Sequence, residues 1–282
     1  MQLRYLDIQT VKSLLPVRNI DAHKGDCGKV LLVCGSKGFT GAPALATKGA
    51  LRAGCGLAYL AVPACIYVIE AVKLDEAIVW PCKDRDGSFS EDSVDEIRNL
   101  MRGKDAIVLG CGMGISNGSF HVVKTILQEF TGPVILDADG INVLQAHKDL
   151  LRERTSPTII TPHAGEFGRI ASKISGDRIL DAARFANEFG VIVLLKGHDT
   201  VITDGHITYI NTTGNPGMAV GGSGDLLAGI IGSIAAQPIA PLEAAACGAW
   251  LHGAAGDLCA EELGQRSMLP SDMLNVLPRL LK

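Results

Sequence analysis

The chain has 282 residues, of which 47% are hydrophobic and 20% are charged, and its formal net charge is −4. This composition is typical of a globular protein with a large core, and it gives no reason to expect a nucleic acid or an anionic membrane as a partner. The first residues are too charged for a secretory signal peptide, and the apolar stretches are too short to cross a bilayer. The eight cysteines form no C-x-x-C pair and no zinc-type cluster, so we expect free thiols in a cytoplasmic protein.

Short runs of β-branched residues recur along the chain, and each is followed by a glycine-rich or polar break. The runs that predict strands span residues 30–34, 106–109, 134–136, 158–160 and 191–195. Helical patterns follow over residues 42–53 and 119–130. This alternation predicts a three-layer α/β/α fold, with a mostly parallel central sheet and helices on both faces.

The last third of the chain departs from this alternation. Residues 200–203 and 207–210 flank an Asp-Gly turn and predict an antiparallel hairpin. Three further helical patterns cover residues 226–236, 242–263 and 273–281. No proline-rich or charged linker interrupts the chain, so residues 1–282 are expected to form a single domain.

The most informative segment runs from Asn215 to Asp225 and holds four glycines directly before an apolar helix. A glycine cluster that opens a helix leaves backbone N–H groups converging on one point, where the helix dipole also favours an anion. Asp225 lies in the first helical turn, where it can accept a proton beside a bound phosphate. An isolated Gly-Asp pair would indicate only a turn and a helix cap, but this glycine density favours a phosphoryl-handling enzyme.

Other unusual residues also follow predicted strands. Ligands of open α/β sheets bind outside the carboxyl ends of the strands, so one crevice is expected to gather these residues. They are Gly35 to Ala42, Gly110 to Gly114, Asp137, Asp139, Asn142, His163, Lys196 and Asp225.

Several common motifs are missing from the sequence. The spacing of Gly35, Gly38 and Gly41 does not match the dinucleotide fingerprint, and no Gly-Lys-Ser/Thr of a P-loop occurs. None of the seven histidines forms an H-E-x-x-H pair. Classical NAD dehydrogenases, P-loop enzymes and zinc hydrolases are therefore disfavoured.

Several segments in the same order resemble the ADP/ATP-dependent NAD(P)H-hydrate dehydratases, a branch of the ribokinase-like fold. Gly222-Ser223-Gly224-Asp225 matches the anion-hole and catalytic-aspartate motif of that fold. The segments that resemble this branch in particular are Thr40 to Ala46, Thr161 to Phe167, Leu195 to Ile202 and Asn211 to Ala219. The likeness extends from about residue 21 onward, with Cys111 and Ser223 in place of the more common proline and threonine.

The resemblance implies a substrate and a reaction. The substrate would be (S)-NADH or (S)-NADPH hydrate (NADHX or NADPHX), which carries a hydroxyl at C6 of the reduced nicotinamide ring. The enzyme would phosphorylate that hydroxyl and eliminate phosphate to restore NAD(P)H, with ADP favoured over ATP as co-substrate and Mg²⁺ as cofactor. The roughly twenty residues before the matching region are too few for the epimerase domain of many relatives. A separate NAD(P)H-hydrate epimerase is therefore the expected functional partner.

The resemblance also implies roles for particular residues. Asp225 would be the general base, beside an anion hole formed by the backbone N–H groups of Gly222, Ser223 and Gly224. The residues expected to contact the hydrate are Ala42, Gly112, His163 and Asp225. Those expected to contact the nucleotide are Lys196, Gly197, His198, Asp199, Thr200 and Gly224.

Some assignments stay open at this point. Asp137, Asp139 and Asn142 could contact a metal-bound water, contact a phosphate or cap a helix, and no residue is assigned as a metal ligand. His252 and Asp257 are expected to be packing or interface residues. The Ala-rich helices suit a homo-oligomer, but a well-packed core has the same pattern.

Two other functions compete with the dehydratase. An ordinary ribokinase-like kinase of a vitamin precursor or a sugar would keep Asp225 and the anion hole, but it would leave a stable phosphorylated product. A non-catalytic nucleotide sensor is disfavoured, because a pure binder would gain affinity by losing the negative charge of Asp225.

Overall fold

The computed structural model describes residues 2–282. The strands are β1 (Gln2–Tyr5), β2 (Lys29–Val33), β3 (Leu57–Pro63), β4 (Ile78–Cys82), β5 (Asp84–Arg85), β6 (Ser88–Phe89), β7 (Ala106–Leu109), β8 (Val134–Leu136), β9 (Thr158–Ile160), β10 (Ile192–Leu195), β11 (Thr200–Thr203) and β12 (Ile207–Asn211). The helices are α1 (Ile8–Leu14), α2 (Gly41–Arg52), α3 (Tyr67–Lys73), α4 (Val94–Met101), α5 (Asn117–Glu129), α6 (Asp139–Asn142), α7 (Asp149–Glu153), α8 (Ala164–Ile170), α9 (Arg178–Phe189), α10 (Ser223–Ala235), α11 (Pro241–Leu263) and α12 (Pro270–Leu280).

Ten of these strands form one sheet in the order β1-β12-β11-β10-β9-β8-β7-β2-β3-β4. The seven strands from β10 to β4 are parallel to one another, and β11 is antiparallel to both of its neighbours. Strands β5 and β6 form a separate antiparallel pair. The expected parallel sheet and its antiparallel hairpin are thus both present.

Helices cover the sheet on both faces, because its central strands carry apolar side chains on both sides. One hydrophobic cluster joins the sheet to α2, α10, α11 and α12, and a second joins it to α4, α5, α8 and α9. The expected three-layer α/β/α fold is confirmed. None of the helices in residues 2–282 has both the length and the apolarity that a membrane crossing needs.

The backbones of helices α2 and α10 lie in direct contact. A Cβ atom added to Gly229 would lie 1.9 Å from the carbonyl oxygen of Ala46, and one added to Gly49 would lie 2.8 Å from that of Leu226. Side chains at these two glycines would force the helices apart, so the glycines fix the distance between them. This packing holds the start of α10, which contains Asp225, against α2.

Several helix boundaries differ from the sequence predictions. Helix α5 begins at Asn117 rather than at residue 119, because the Ser116 side chain accepts a hydrogen bond from the Ser119 N–H and caps it. Helix α10 begins at Ser223, three residues before the predicted start. Helices α11 and α12 also begin before residues 242 and 273, each with a proline at its first position.

Candidate active site

The carboxyl ends of the parallel strands gather a buried polar cluster. Cys111 follows β7, Asp137 follows β8, and Asp225 lies in the first turn of α10. One ligand atom from each of these three side chains lies within 4.8 Å of the other two. Asp137 and Asp225, both expected at this edge of the sheet, are therefore brought together.

Asp137 is the centre of this cluster. Its Oδ1 accepts hydrogen bonds from Lys196 Nζ at 2.8 Å and from Thr161 Oγ1 at 2.7 Å. Lys196 Nζ also lies 3.8 Å from Oε2 of the buried Glu166. Burial opposes the charged lysine, but the two carboxylates outweigh it and raise the pKa of Lys196. Lys196 therefore stays charged. It links the end of β10 to Asp137, which follows β8, and to Glu166 in helix α8.

Asp225 has a different environment, since no ion pair to a cation forms at its half-buried carboxylate within residues 2–282. Burial, followed by the negative charge of Asp137, raises the pKa of Asp225 to about 6. A carboxylate with this pKa is mostly ionised at neutral pH and is a stronger base than an exposed aspartate. This is the protonation behaviour that a general base requires.

The start of α10 provides unpaired backbone donors beside that carboxylate. Gly222 caps the helix with a φ of +96°, a conformation that favours glycine. In the described part of the chain, the N–H groups of Gly222, Gly224 and Asp225 have no hydrogen-bond acceptor. The N–H of Ser223 makes only a long bond of 3.4 Å to the Val220 carbonyl.

Gly224 lies directly in front of the lysine and aspartate pair. A Cβ atom at this position would lie 3.3 Å from Lys196 Nζ and 3.6 Å from Asp137 Oδ2. The missing side chain thus leaves room for a ligand between the helix start and the ion pair. Unpaired backbone N–H groups, the Lys196 ammonium and an open space thus lie together at the start of α10.

A cavity of about 870 Å³ opens beside this site. Its wall includes all six residues that the sequence assigns to the nucleotide, and it continues along the segment from Asn211 to Gly221 and onto helix α11. The predicted residues on this wall are His163, Lys196, Gly197, His198, Asp199, Thr200, Ser223 and Gly224. A cavity of this volume is large enough for a nucleotide.

Ala42 and Gly112 contact each other outside the lining of that cavity. A Cβ atom added to Gly112 would lie 2.9 Å from the Ala42 Cβ and 3.1 Å from the Phe39 Cβ, and its φ is +61°. Both geometry and space therefore require glycine at position 112. The two small residues predicted to contact the hydrate do form one surface.

His163 has a structural role at the start of helix α8. Its Nδ1 accepts hydrogen bonds from the N–H groups of Gly165 at 3.0 Å and Glu166 at 3.3 Å, which caps helix α8. In return, Glu166 Oε2 accepts from the His163 N–H at 2.9 Å. The imidazole is 56% exposed on the cavity wall, and its Nε2 lies 3.5 Å from Oε1 of Glu166.

In the loop from Lys196 to Thr200, Gly197 packs against an arginine. A Cβ atom added to Gly197 would lie 2.7 Å from Arg178 Nη2, so the side of the backbone that lacks a side chain faces this guanidinium. The His198 side chain is almost fully exposed and lies 3.2 Å from Asp199. The loop therefore presents mainly its backbone to the cavity.

Asp139 and Asn142 brace the neighbouring loop. Asp139 Oδ2 accepts a hydrogen bond of 2.9 Å from the Gly114 N–H. The side chain of Asn142 donates to Asp139 at 3.3 Å and accepts from Arg169 at 3.0 Å. These contacts hold the glycine-rich segment that contains Gly112.

Helix α11 contributes residues that the sequence analysis assigned only to packing. His252 lines the cavity, and its Nε2 lies 3.3 Å from the Ser223 hydroxyl. Burial lowers the pKa of His252 to about 4, so it is neutral at physiological pH. Asp257 accepts hydrogen bonds from the Gly214 N–H at 2.9 Å and the Asn215 side chain at 3.0 Å, which fixes another part of the cavity wall.

The fold and the site together indicate one class of protein, and a solved structure of similar fold belongs to that class. A ribokinase-like superfamily protein from Enterococcus faecalis matches 98% of this chain and 94% of its own, with a TM-score of 0.87 and 27% identity. The chain has the ribokinase-like fold. Within that class, the Carb_kinase model, described as NAD(P)H-hydrate dehydratase, matches residues 30–279, and the chain belongs to this family.

Individual relatives agree with the family. The ADP-dependent (S)-NAD(P)H-hydrate dehydratase of Neisseria meningitidis is 37% identical over 86% of this chain and 81% of its own length. The ADP/ATP-dependent NAD(P)H-hydrate dehydratase of Bacillus subtilis, co-crystallised with ATP and Mg²⁺, has a TM-score of 0.85 and 28% identity, and the match covers 100% of this chain and 98% of that one. The family resemblance drawn from the motifs is therefore confirmed.

A third relative is longer than this chain. The bifunctional NAD(P)H-hydrate repair enzyme of Moorella thermoacetica is 42% identical over 99% of this chain and 54% of its own length. The chain thus spans about half the length of such bifunctional relatives, and the similarity also covers residues before position 21.

Proposed function

We propose that this chain is a nucleotide-dependent (S)-NAD(P)H-hydrate dehydratase, which returns hydrated NADH and NADPH to their active forms. The observation that carries the proposal is the place of Asp225, a carboxylate of raised pKa beside unpaired backbone donors at the start of α10. Membership of the family supplies the class of substrate.

The first chemical step is a phosphoryl transfer. The C6 hydroxyl of the hydrate gives its proton to Asp225 while its oxygen attacks the terminal phosphorus of ADP, and AMP leaves with the electrons of the broken P–O bond. The N–H groups of Gly222, Ser223 and Gly224 stabilise the negative charge on the transferred group. Asp225 accepts the proton well because burial has already raised its pKa to about 6.

The second step is an elimination. The lone pair of the ring nitrogen expels phosphate from C6, and loss of a proton from the neighbouring ring carbon restores the double bond of NAD(P)H. Phosphate is a much better leaving group than hydroxide. The phosphorylated hydrate therefore needs little further help from the protein, and a dehydratase can be built on a kinase fold.

The two substrates would occupy different parts of the crevice. We assign the nucleotide to the cavity of about 870 Å³, against Lys196, the loop from Gly197 to Thr200 and Gly224. We assign the nicotinamide half of the hydrate to the surface of Ala42 and Gly112, with His163 at the cavity wall. Asp225 then acts where the two substrates meet.

The donor set also fits Mg²⁺, which we propose as a cofactor. Mg²⁺ is usually held by one or two carboxylates together with substrate phosphates, and Asp137 Oδ2 offers such an oxygen beside the start of α10. The buried Glu166 and the half-buried Asp139 add further negative charge to the crevice. Mg²⁺ bound with the nucleotide would neutralise phosphate charge at this acidic site.

Incubation of the purified chain with NADPHX and ADP, ATP or no nucleotide tests the proposal. A dehydratase releases free phosphate and near-ultraviolet-absorbing NADPH in equal amounts, and only when a nucleotide is present. A stable phosphorylated hydrate without NADPH would instead identify an ordinary kinase. Absence of any nucleotide-dependent product would overturn the proposal.

Finer assignments follow the same proposal. We propose ADP rather than ATP as the preferred donor, a single domain, a cytoplasmic location, and a separate NAD(P)H-hydrate epimerase as the functional partner. A homo-oligomer remains a prediction, which the mass of the purified protein in solution would test.

A further inference from the structure

One arginine holds the backbone of the loop from Lys196 to Thr200. Arg178 is the first residue of α9, and the Asp177 side chain caps that helix by accepting from the N–H groups of Ile179 and Leu180. The guanidinium donates from Nη2 to the Leu195 carbonyl at 2.9 Å, and from Nη1 to the carbonyls of His198 and, at 3.3 Å, Asp199. A capped helix start thus fixes a cation under the last carbonyl group of β10 and two carbonyl groups of the loop that follows it.

The loop has an unusual backbone that suits this contact. Asp199 has a φ of +55°, which is uncommon for a residue other than glycine, and Gly197 has a φ of +156°. A Cβ atom at Gly197 would lie 2.7 Å from Arg178 Nη2. The conformation of the loop and the position of the Arg178 guanidinium therefore depend on each other.

This arrangement also directs the loop's donors. In a trans peptide group the C=O and the N–H point in opposite directions. Because the His198 carbonyl turns towards Arg178, the N–H of Asp199 points away from it. In the described part of the chain, the N–H groups of Gly197, His198 and Asp199 have no acceptor, and these residues line the cavity.

We propose that Arg178 is a positioning residue for the nucleotide. In this role Arg178 does not itself bind the nucleotide. The inference rests on the proposed function of the loop. By holding three carbonyls, the guanidinium sets the loop so that its backbone N–H groups serve as donors to the nucleotide. The planar fork of arginine provides this geometry, which the single ammonium of lysine cannot reproduce.

Calorimetric titration of ADP into the full chain tests the inference, with Arg178→Lys and Arg178→Gln as variants. Arg184→Gln is the matched control, since Arg184 lies on the same helix and pairs with the Asp181 carboxylate at 3.7 Å. Both Arg178 variants should bind ADP at least ten-fold more weakly, and their KM for the hydrate should change less than two-fold. The control should bind ADP as the unmodified chain does.

Gly197→Ala provides a second test that keeps the arginine. Its new Cβ would displace the guanidinium, so it should weaken ADP binding in the same direction. Unchanged ADP affinity in Arg178→Lys, even with a lowered Tm, would mean that Arg178 is only structural and would overturn the inference. If the unmodified chain lacks dehydratase activity but the Arg178 variants still lose ADP affinity, the proposed function fails and the positioning role stands.

Discussion

Lys196 Nζ lies 2.8 Å from Asp137 Oδ1, so the positive charge of the crevice is already engaged with a buried carboxylate. Asp225, a few ångströms away, lacks such a partner within residues 2–282 and keeps a raised pKa. The two aspartates therefore have different tasks: Asp137 anchors the lysine, and Asp225 remains available to accept a proton.

The first prediction concerns the pH dependence of turnover. Asp225 must be ionised to act as a base, and its pKa is about 6. We expect kcat/KM to rise about ten-fold per pH unit below pH 6 and to level off above it. His252 does not contribute in this range, because its pKa is about 4. Initial rates from pH 5 to pH 8 check this, and a profile flat down to pH 5 would contradict it.

The second prediction concerns stability. The pKa of Asp225 is higher in the folded chain than its ordinary value of 3.8, so ionisation destabilises the fold as pH rises from about 4 to about 6. Asp225→Asn removes this charge and should stabilise the chain at pH 7.5 by about 1–3 kcal/mol. Urea unfolding at pH 7.5 and at pH 4 measures the difference, which should largely vanish at the lower pH.

The third prediction compares a glycine at the start of α10 with one away from the cavity. Gly224→Ala places a methyl group 3.3 Å from Lys196 Nζ, in the space we assign to the phosphate, and should weaken ADP binding at least ten-fold. Gly168→Ala in helix α8 is the control, because a Cβ there makes ordinary contact with Ile174 Cδ1 at 3.8 Å and lies outside the cavity lining. Equal ADP affinities for the two variants in a calorimetric titration would place the phosphate elsewhere.

The fourth prediction separates the two roles of His163. His163→Ala should raise KM for the hydrate more than KM for the nucleotide, and should cost about 1 kcal/mol of stability through loss of the cap on α8. His163→Asn restores a capping side chain without the imidazole. It should regain the stability but keep the raised KM for the hydrate, whereas a larger effect on the nucleotide KM would assign His163 to the other substrate.

The sequence predicted five of the seven parallel strands, because these buried strands appear as continuous β-branched runs. Strands β1, β3 and β4 escaped prediction: β1 is exposed along its length, β3 is buried but has Val62 as its single β-branched residue, and β4 lies at the sheet edge, is mostly exposed and contains Pro81, a residue unusual in strands. The glycine cluster indicated the anion site, because four glycines exceed what a turn needs.

The residues that shape the crevice from a distance carried no such signal. His252 lies on an apolar helix, and only the packing of α11 brings it to 3.3 Å from Ser223. Arg178 is an ordinary polar residue at a helix start, and its contacts depend on how α9 meets the end of β10. Local sequence patterns therefore locate the residues that carry the chemistry, whereas the residues that position them can be identified only from tertiary contacts.

The most direct test of the account compares the unmodified chain with Asp225→Asn, using NADPHX and ADP. We predict that the variant forms NADPH and free phosphate at least a hundred-fold more slowly, because the attacking hydroxyl has lost its base, while its calorimetric affinity for ADP is kept. Turnover within a few-fold of the unmodified chain, or loss of ADP binding in proportion to activity, would contradict the role assigned to this carboxylate.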